Sequence, residues 1–462
     1  MRDSFRGARR RQRRLWIVLA LCCVAQFMLQ LDVSIVTVAL PLMRTRLGLS
    51  GTTIQWVVNA YTLMFGGLLL LGGRAADLFG RRPVFLIGLG VFTASSLIGG
   101  LAQDGAWLIA ARAAQGIGAA LLAPATLALL TTTFVDPAER RRALGAWAAT
   151  AASGVAVGLL AGGIVTDLLG WRWVLFVNVP IGAVLLAVAA VALVEPAAPL
   201  ATRRLDLAGA ATATIGLAVL VYGTLETGTR GWGSGTTIVT LGTGAALLAA
   251  FVVVEGRLVE HPLVPLRLFR QRALSAANAV AITIGAAQFG TYVFLSLFLQ
   301  RSLRYSPLQS GLAVLPAGIL TMTGSLLGAR VLAGLGLRRQ LVLALALPLA
   351  GLFWLSQLTA GATYLRDILV PSAIAGLGFG LSYVPLTSAA TTGVPAEQAG
   401  LASGLVTSAR QVGGAFGLAA MATVASRGHA FGYDRAFLLG AATMVAGCVV
   451  AVRFFPTSRM AN

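Results

Sequence analysis

The sequence predicts an all-α polytopic membrane protein with fourteen transmembrane helices. Hydrophobic residues make up 57% of the 462 residues and charged residues only 11%, against about 25% in soluble domains. The mean hydropathy is +0.85. Long apolar runs follow one another along the chain, and clusters of arginine separate them. These apolar runs are suited to contact lipid and neighbouring helices.

Each predicted span is an apolar run of about twenty residues, the length of a helix that crosses a bilayer. With the N-terminus in the cytoplasm, the even number of spans also predicts a cytoplasmic C-terminus. The spans are 15–42, 54–72, 83–102, 107–131, 142–165, 171–193, 206–225, 236–256, 273–300, 308–333, 340–358, 368–392, 401–425 and 435–455.

The spans divide into six, two and six. We expect a basic cytoplasmic tail, two six-helix bundles, a linker that carries two extra transmembrane helices as a spacer against lipid, and a short cytoplasmic tail. The corresponding boundaries are 1–14 for the first tail, 15–195 for the N-terminal bundle, 196–272 for the linker, 273–456 for the C-terminal bundle and 457–462 for the last tail.

The net charge of +20 does not indicate nucleic-acid binding, because the arginines punctuate apolar segments instead of forming one face of a soluble domain. The N-terminal run of arginines predicts a cytoplasmic tail that touches anionic lipid. A cleaved signal peptide is the competing interpretation, but we do not expect one, since the apolar run 15–41 is too long and no small-residue cleavage site follows it. All basic residues are arginine, and with the heavy use of alanine and glycine this indicates a GC-rich, bacterial genome.

A compact charged segment, 73–82, lies between the second and third spans. Its glycines permit a tight turn, and its aspartate can pair with arginines. An ordinary positive loop would explain the two arginines but not the spacing of glycine and aspartate. The residues that carry this pattern, and that we predict to form a gating loop, are Gly73, Asp77, Gly80, Arg81 and Arg82.

This segment resembles the signature loop of the major facilitator superfamily, Gly-x-Leu-Ala-Asp-Arg-x-Gly-Arg-Arg, with Ala75 and Leu78 as departures. A weaker copy, residues 329–338, lies between the second and third spans of the other bundle and lacks the aspartate. The copy indicates an internal duplication. The resemblance implies the major facilitator fold, with two six-helix halves around a cavity at the membrane midplane.

Asp32, near the end of the first span, is an acid well inside a predicted helix. Such a group faces a cavity or a partner and often carries protons, although a hydrated or purely structural carboxyl is the alternative. The surrounding stretch 31–41 resembles the corresponding stretch of fourteen-helix drug:proton antiporters. The resemblance implies a role in proton coupling for Asp32.

Arg112 in the fourth span needs an acid, carbonyl groups or water, because an arginine does not readily lose its proton. Its predicted depth matches that of Asp32, while snorkelling to the surface is the alternative. The run Arg112, Gln115, Gly116 and Gly118 resembles the antiporters' proton-coupling motif Arg-x-x-Gln-Gly-x-Gly-x-Ala. It makes Gln115 a candidate cavity residue.

The fifth span carries glycines at a four-residue spacing suited to close helix packing. It resembles the antiporter motif Gly-x-x-x-Gly-Pro-x-x-Gly-Gly, with Leu159 in the place of the proline. The glycines of the fifth span can therefore still pack closely against a neighbouring helix, but no proline is present to kink the span. The motif glycines are Gly154, Gly158, Gly162 and Gly163.

Arg410 lies about 15 Å into the thirteenth span, in a run that resembles the thirteenth helix of the same antiporters. It either lines the cavity and binds an anionic group or caps carbonyl groups of neighbouring helices. Neither the cysteines nor the two histidines show metal-ligand spacing, and no metal site is expected. The sequence has no P-loop or catalytic triad, so no enzyme is predicted.

Together these features predict a proton-coupled antiporter of the bacterial cytoplasmic membrane that exports lipophilic neutral or monocationic drugs or antibiotics. It would need no cofactor beyond the proton gradient, and its partners would be a small lipophilic substrate, protons and membrane lipids. We expect a monomer and no nucleic-acid partner. Two alternatives stay open, a narrow exporter of a self-made antibiotic and a solute:proton importer on the same fold.

Overall fold

The computed structural model describes residues 2–50, 53–193, 206–258, 266–359, 361–392, 394, 398–426 and 432–455. Within them the chain forms α-helices joined by short turns, with no β-strand. Short π-helical segments lie at Val254–Leu258 and Tyr364–Leu369, and a 3₁₀ segment lies at Leu266–Arg270. The helices are α1 (Arg2–Arg46), α2 (Thr53–Phe79), α3 (Arg81–Gly100), α4 (Gly105–Thr133), α5 (Pro137–Leu168), α6 (Trp173–Phe176), α7 (Asn178–Ala192), α8 (Leu207–Arg230), α9 (Gly235–Val253), α10 (Arg272–Arg301), α11 (Pro307–Leu335), α12 (Leu337–Leu355), α13 (Val370–Thr391), α14 (Ala399–Ser426) and α15 (Tyr433–Phe454).

Among the described residues, twelve segments are long and apolar enough to cross a membrane. They include α6 and α7 taken together as Trp173–Ala192. Of the two other predicted spans, α5 has a shorter apolar stretch, Ser153–Leu168, and α14 is not among the twelve. Both are nevertheless long helices, of 32 and 28 residues, that pack among the others. The predicted boundaries near 195 and 456 lie next to or within residues that the structure does not describe.

The segment predicted as a loop between the second and third spans is almost entirely helical. Helix α2 continues to Phe79, and Gly80 alone separates it from α3. Gly80 has a φ of 95° and a ψ of 150°, a combination that only glycine adopts without strain. The turn is tighter than the spacing of charges suggested, because one residue is enough to reverse the chain when it has no Cβ.

Gly336 repeats this joint in the second part of the chain. It alone separates α11 from α12, with a φ of 78° and a ψ of 168°. The pairing of helices repeats as well. Helix α1 packs on α5 as α10 packs on α14, and α4 packs on α2 and α3 as α13 packs on α11 and α12. These correspondences agree with the duplication that the sequence indicated.

Two helix pairs, α2 with α14 and α5 with α11, make the most extensive contacts between the groups α1–α7 and α10–α15, and α1 also touches α10 and α11. We call the contacts of these two pairs the seams of the molecule. The duplication makes them equivalent. The predicted spacer helices α8 and α9 cover one of them. Helix α8 packs against both α2 and α14, and its buried Val221 and Leu225 meet Leu63, Ala415 and Ala419 there.

Candidate functional site

Asp32 lies at the centre of a polar cluster inside the N-terminal helices. Its side chain is fully buried. Its Oδ2 accepts a hydrogen bond from Arg112 Nη1 at 2.6 Å, and its Oδ1 accepts from Gln115 Nε2 at 2.8 Å and from Asn178 Nδ2 at 2.9 Å. The carboxylate of α1 is therefore held by donors from both α4 and α7. Burying a charge among helices is tolerated only when it is paired in this way.

Arg112 connects Asp32 to α2 as well. Its Nε donates to the backbone carbonyl of Val57 at 3.1 Å, and its Nη1 also donates to Gln115 Oε1. The guanidinium carbon lies 4.4 Å from the centre of the Tyr61 ring, a cation–π contact. Only 2% of the Arg112 side chain is exposed, so it does not snorkel to the surface.

Ser96 of α3 completes the cluster. Its Oγ accepts hydrogen bonds from Gln115 Nε2 at 2.6 Å and from Asn178 Nδ2 at 3.3 Å. We call Asp32, Arg112, Gln115, Asn178, Ser96 and Tyr61 the buried charge cluster; no member exposes more than 2% of its surface. The cluster draws side chains from five helices, and within it Asp32 of α1 bonds directly to side chains of α4 and α7.

The sequence predicted part of this cluster. Asp32 and Arg112 meet, as their predicted depths suggested, while Gln115 bonds to them directly inside the cluster. The sequence assigned no role to Asn178. Ser96 and Tyr61 were not predicted, because a serine or tyrosine inside an apolar helix gives no signal before its neighbours are known.

The residues of the predicted gating loop do not form one loop but are divided between the end of α2, the joint at Gly80 and the start of α3. Asp77 is exposed near the end of α2, and no described basic group lies within 4.0 Å of it. Arg82 donates to the backbone carbonyl of Ala190 in α7 at 2.7 Å. Gly73 lies in the last two turns of α2, and Gly80 forms the joint that precedes Arg81. Within the part of the chain that the structure describes, Asp77 therefore forms no ion pair in this conformation.

The glycine motif of α5 packs against two helices. A Cβ on Gly154, Gly158 or Gly162 would come closer than 3 Å to atoms of α1, and one on Gly163 would come equally close to Pro307 of α11. Ser34 Oγ lies at the first contact, 3.4 Å from the Gly154 carbonyl oxygen, and its nearest acceptor is the Gln30 carbonyl of its own helix at 2.9 Å. The motif therefore positions the part of α1 that carries Asp32.

Arg410 lies in the other half, in the middle of α14. Its guanidinium carbon is 4.8 Å from the centre of the Tyr383 ring of α13. Arg410 is partly buried, and no described carboxylate lies within 4.0 Å of it. The described residues contain no group of three or more His, Cys, Asp or Glu side chains that could hold a metal ion.

Two helical halves related by duplication, with a buried ion pair in one of them, define a polytopic membrane transporter. The family model of the Major Facilitator Superfamily matches residues 22–418, and the chain belongs to this family. It is therefore a multi-pass protein of the bacterial cytoplasmic membrane. Membership in a transporter family also confirms the prediction that the chain is not an enzyme.

Curated relatives cover most of the chain. It is 46% identical to the cephamycin export protein CmcT of Amycolatopsis lactamdurans over 89% of this chain and 85% of the relative. It is 41% identical to the puromycin resistance protein pur8 of Streptomyces alboniger over 89% and 82%, and 34% identical to the lincomycin resistance protein of Streptomyces lincolnensis over 98% and 94%. These names agree with the predicted antiporter branch of the family.

Solved structures share the fold at low sequence identity. The POT-family transporter PepTSo superposes with a TM-score of 0.71 at 16% identity, covering 95% of this chain and 97% of the other. A D-xylose–proton symporter gives a TM-score of 0.69 at 14% identity, covering 96% and 98%. At these identities the likeness concerns the fold alone.

Proposed function

We propose that the chain is a proton-coupled antiporter that exports lipophilic small molecules, such as drugs or antibiotics, from the bacterial cytoplasm. The observation that carries the proposal is the fully buried Asp32, bonded to Arg112, Gln115 and Asn178. A carboxyl group at the centre of a cluster drawn from five helices can couple its protonation to their arrangement. The relatives named for antibiotic export and resistance support the substrate class.

In the proposed topology fourteen helices span the membrane as six, two and six, and both termini lie in the cytoplasm. The C-terminal ends of α1, α5 and α10 are then external. Contacts between the halves occur at these ends, where Gln300 Nε2 donates to the Val38 carbonyl at 3.0 Å and Gly163 abuts Pro307. The exposed Asp77 at the opposite face has no described ion pair. Both features support a conformation that is closed outside and open toward the cytoplasm.

The proposed cycle starts from this conformation. The substrate enters from the cytoplasm or inner leaflet, and as it loads Asp32 gives up its proton inward, which leaves the carboxylate that Arg112 holds. The halves then rock, the substrate leaves, and Asp32 takes up a proton from outside. Asp77 and the arginines around Gly80 would pair only in the outward-open state and hold the cytoplasmic face closed. The cycle uses no cofactor and needs a single protomer in contact with membrane lipid.

The energetics favour substrates of low charge. One charge that crosses 100 mV contributes about 2.3 kcal/mol, and a tenfold proton ratio contributes about 1.4 kcal/mol. Exchange of one proton for a neutral molecule uses both contributions, while exchange for a monocation uses only the second. A dication would move against the membrane potential with a single proton, so it is a poor substrate.

The test is efflux from a pump-deficient bacterial host that expresses the wild type or Asp32→Asn. The panel is ethidium, puromycin, lincomycin and a cephalosporin, each measured with and without a protonophore. We expect efflux of at least one compound that requires both the gradient and Asp32. Efflux that persists in Asp32→Asn would remove the proposed proton site, and efflux that persists with the protonophore would remove proton coupling.

A narrow exporter of one antibiotic is the second candidate, favoured by relatives that are named for single compounds. Efflux of one panel member alone would support it. The importer is favoured only by Leu159 at the motif's proline position, where α5 is an uninterrupted helix. Gradient-dependent accumulation of a solute by expressing cells would support the importer and contradict export.

A further inference from the structure

A second polar cluster crosses the interior of the C-terminal half. Arg410 of α14 stacks on Tyr383 of α13, and Tyr383 Oη accepts a hydrogen bond from Gln288 Nε2 of α10 at 2.8 Å. One turn further along α10, Tyr292 Oη lies 2.9 Å from Thr321 Oγ1 of α11. These five residues, which we call the C-terminal polar strip, connect four helices.

The strip carries a positive charge without a matching negative one. Asp32 pairs with Arg112, Glu226 with Arg230 and Asp367 with Arg366, but no described carboxylate lies within 4.0 Å of Arg410. The Tyr383 ring covers one face of the guanidinium, while the N–H donors point outward in its plane. An arginine keeps its charge in such a place, so it needs an anion or water.

The strip lies where the two halves meet. Gln411, the residue after Arg410, packs closely against Gly66 of α2 in the other half. A Cβ added to Gly66 would lie 2.7 Å from the Gln411 Cβ. Gln288 lies 13 residues before the last residue of α10, and Asp32 lies 14 residues before the last residue of α1. The two clusters thus occupy similar levels in the duplicated halves. The N-terminal one is a neutral pair, and the C-terminal one is cationic.

From this arrangement we infer that the C-terminal polar strip binds an anionic group of the exported molecule. A carboxylate or sulfonate accepts hydrogen bonds from the free guanidinium donors of Arg410. The apolar or aromatic part of the same molecule packs against Tyr383 and Tyr292. The inference rests on the proposed export function and names the substrate class, an amphipathic monoanion, in place of the neutral or monocationic molecules expected from the sequence.

Exchange of such a molecule for a proton is electrically favourable. The anion moves outward while the proton moves inward, so both transfers carry positive charge in the inward direction. The membrane potential therefore acts on two charges per cycle instead of the one that it acts on for a neutral substrate.

The test compares two probes with the same ring skeleton. 1-Anilinonaphthalene-8-sulfonate is a monoanion, and N-phenyl-1-naphthylamine is its neutral counterpart without the sulfonate. The full chain is placed in nanodiscs of phosphatidylcholine, and saturable binding of each probe is followed by fluorescence. The variants are Arg410→Gln, Arg410→Lys and, as a matched control at an exposed position of the same half, Arg366→Gln.

We expect Arg410→Gln to weaken binding of the sulfonate by about tenfold to a hundredfold. This is the loss of affinity expected when one or two charge-assisted hydrogen bonds are removed. Arg410→Lys retains the charge and most of the affinity, and Arg366→Gln resembles the wild type. Unchanged binding of the neutral probe shows that each variant is folded.

Three results would overturn the inference: no saturable sulfonate binding by the wild type, equal loss of both probes in Arg410→Gln, or no loss in that variant. A second nanodisc preparation includes phosphatidylglycerol. If this lipid abolishes the difference between wild type and Arg410→Gln, the site takes a lipid phosphate and the assignment to substrate is wrong. The binding assay uses no gradient, so its failure and the failure of proton-driven efflux are separate results.

Discussion

Gly80 and Gly336 hold equivalent places in the two halves of the molecule: each is the single residue between two long antiparallel helices, and each has a positive φ. The three-dimensional match is closer than the sequence match around them, because the aspartate of the first segment has no counterpart in the second. What the duplication has preserved at this place is the backbone geometry of the joint.

Replacement of Gly80 by alanine is expected to lower stability by about 1–3 kcal/mol, since its backbone conformation is strained for any residue with a Cβ. Gly336→Ala should behave in the same way. The thermal unfolding midpoint of the purified protein measures the effect. Gly90→Ala is the control, because this glycine lies inside α3 and a Cβ there meets nothing within 4 Å. A midpoint for Gly80→Ala equal to that of Gly90→Ala would contradict the geometry.

Arg112→Gln is expected to destabilise the protein by about 3–5 kcal/mol, because it leaves the Asp32 carboxylate buried without its charged partner. The double variant Asp32→Asn with Arg112→Gln removes both charges and should recover much of this loss. Neither protein should perform proton-driven efflux. Thermal unfolding of the two single variants, the double variant and the wild type gives the coupling energy. Strict additivity of the two changes would show that the pair does not interact as described.

Asn178→Ala is expected to impair efflux, because Asp32 and Ser96 each lose a hydrogen-bond donor. The rate of gradient-driven efflux at fixed expression is the measurement. Asn59→Ala is the matched control: Asn59 is equally buried, but neither polar atom of its side chain has a hydrogen-bond partner among the described residues. Its removal costs little, since no bond is lost. Equal effects of the two variants would argue against a specific role for Asn178.

Gly158→Ala is expected to cost about 1–3 kcal/mol and to reduce transport, because the added Cβ meets Ser34 and the backbone of Leu31 at the α1–α5 contact. Gly145→Ala, on the same helix with open space around it, should leave both unchanged. Thermal unfolding and efflux are measured on the same preparations. If Gly158→Ala were as stable and as active as the wild type, the close contact between α1 and α5 would not be required for stability or transport.

The sequence predicted the class of fold because its signals are local. Apolar length predicted the helices, and charge and glycine spacing predicted the duplication. Asp32 and Arg112 were predicted to meet because charged residues inside apolar helices need partners. The seven residues from Gly73 to Phe79 were assigned to a loop because polar residues end an apolar run, although a helix can continue through them into water. Ser96 and Tyr61 were missed because their roles depend on neighbours distant in sequence.

The placement of α8 makes the two seams of the transporter unequal. One seam, between α2 and α14, is shielded from the bilayer by a helix that is bonded to it, since Thr423 Oγ1 donates to the Thr224 carbonyl at 2.8 Å. The other seam, between α5 and α11, carries no such cover among the described residues. Among the described residues, a molecule dissolved in the membrane can therefore reach the contact between the two halves directly only along α5 and α11.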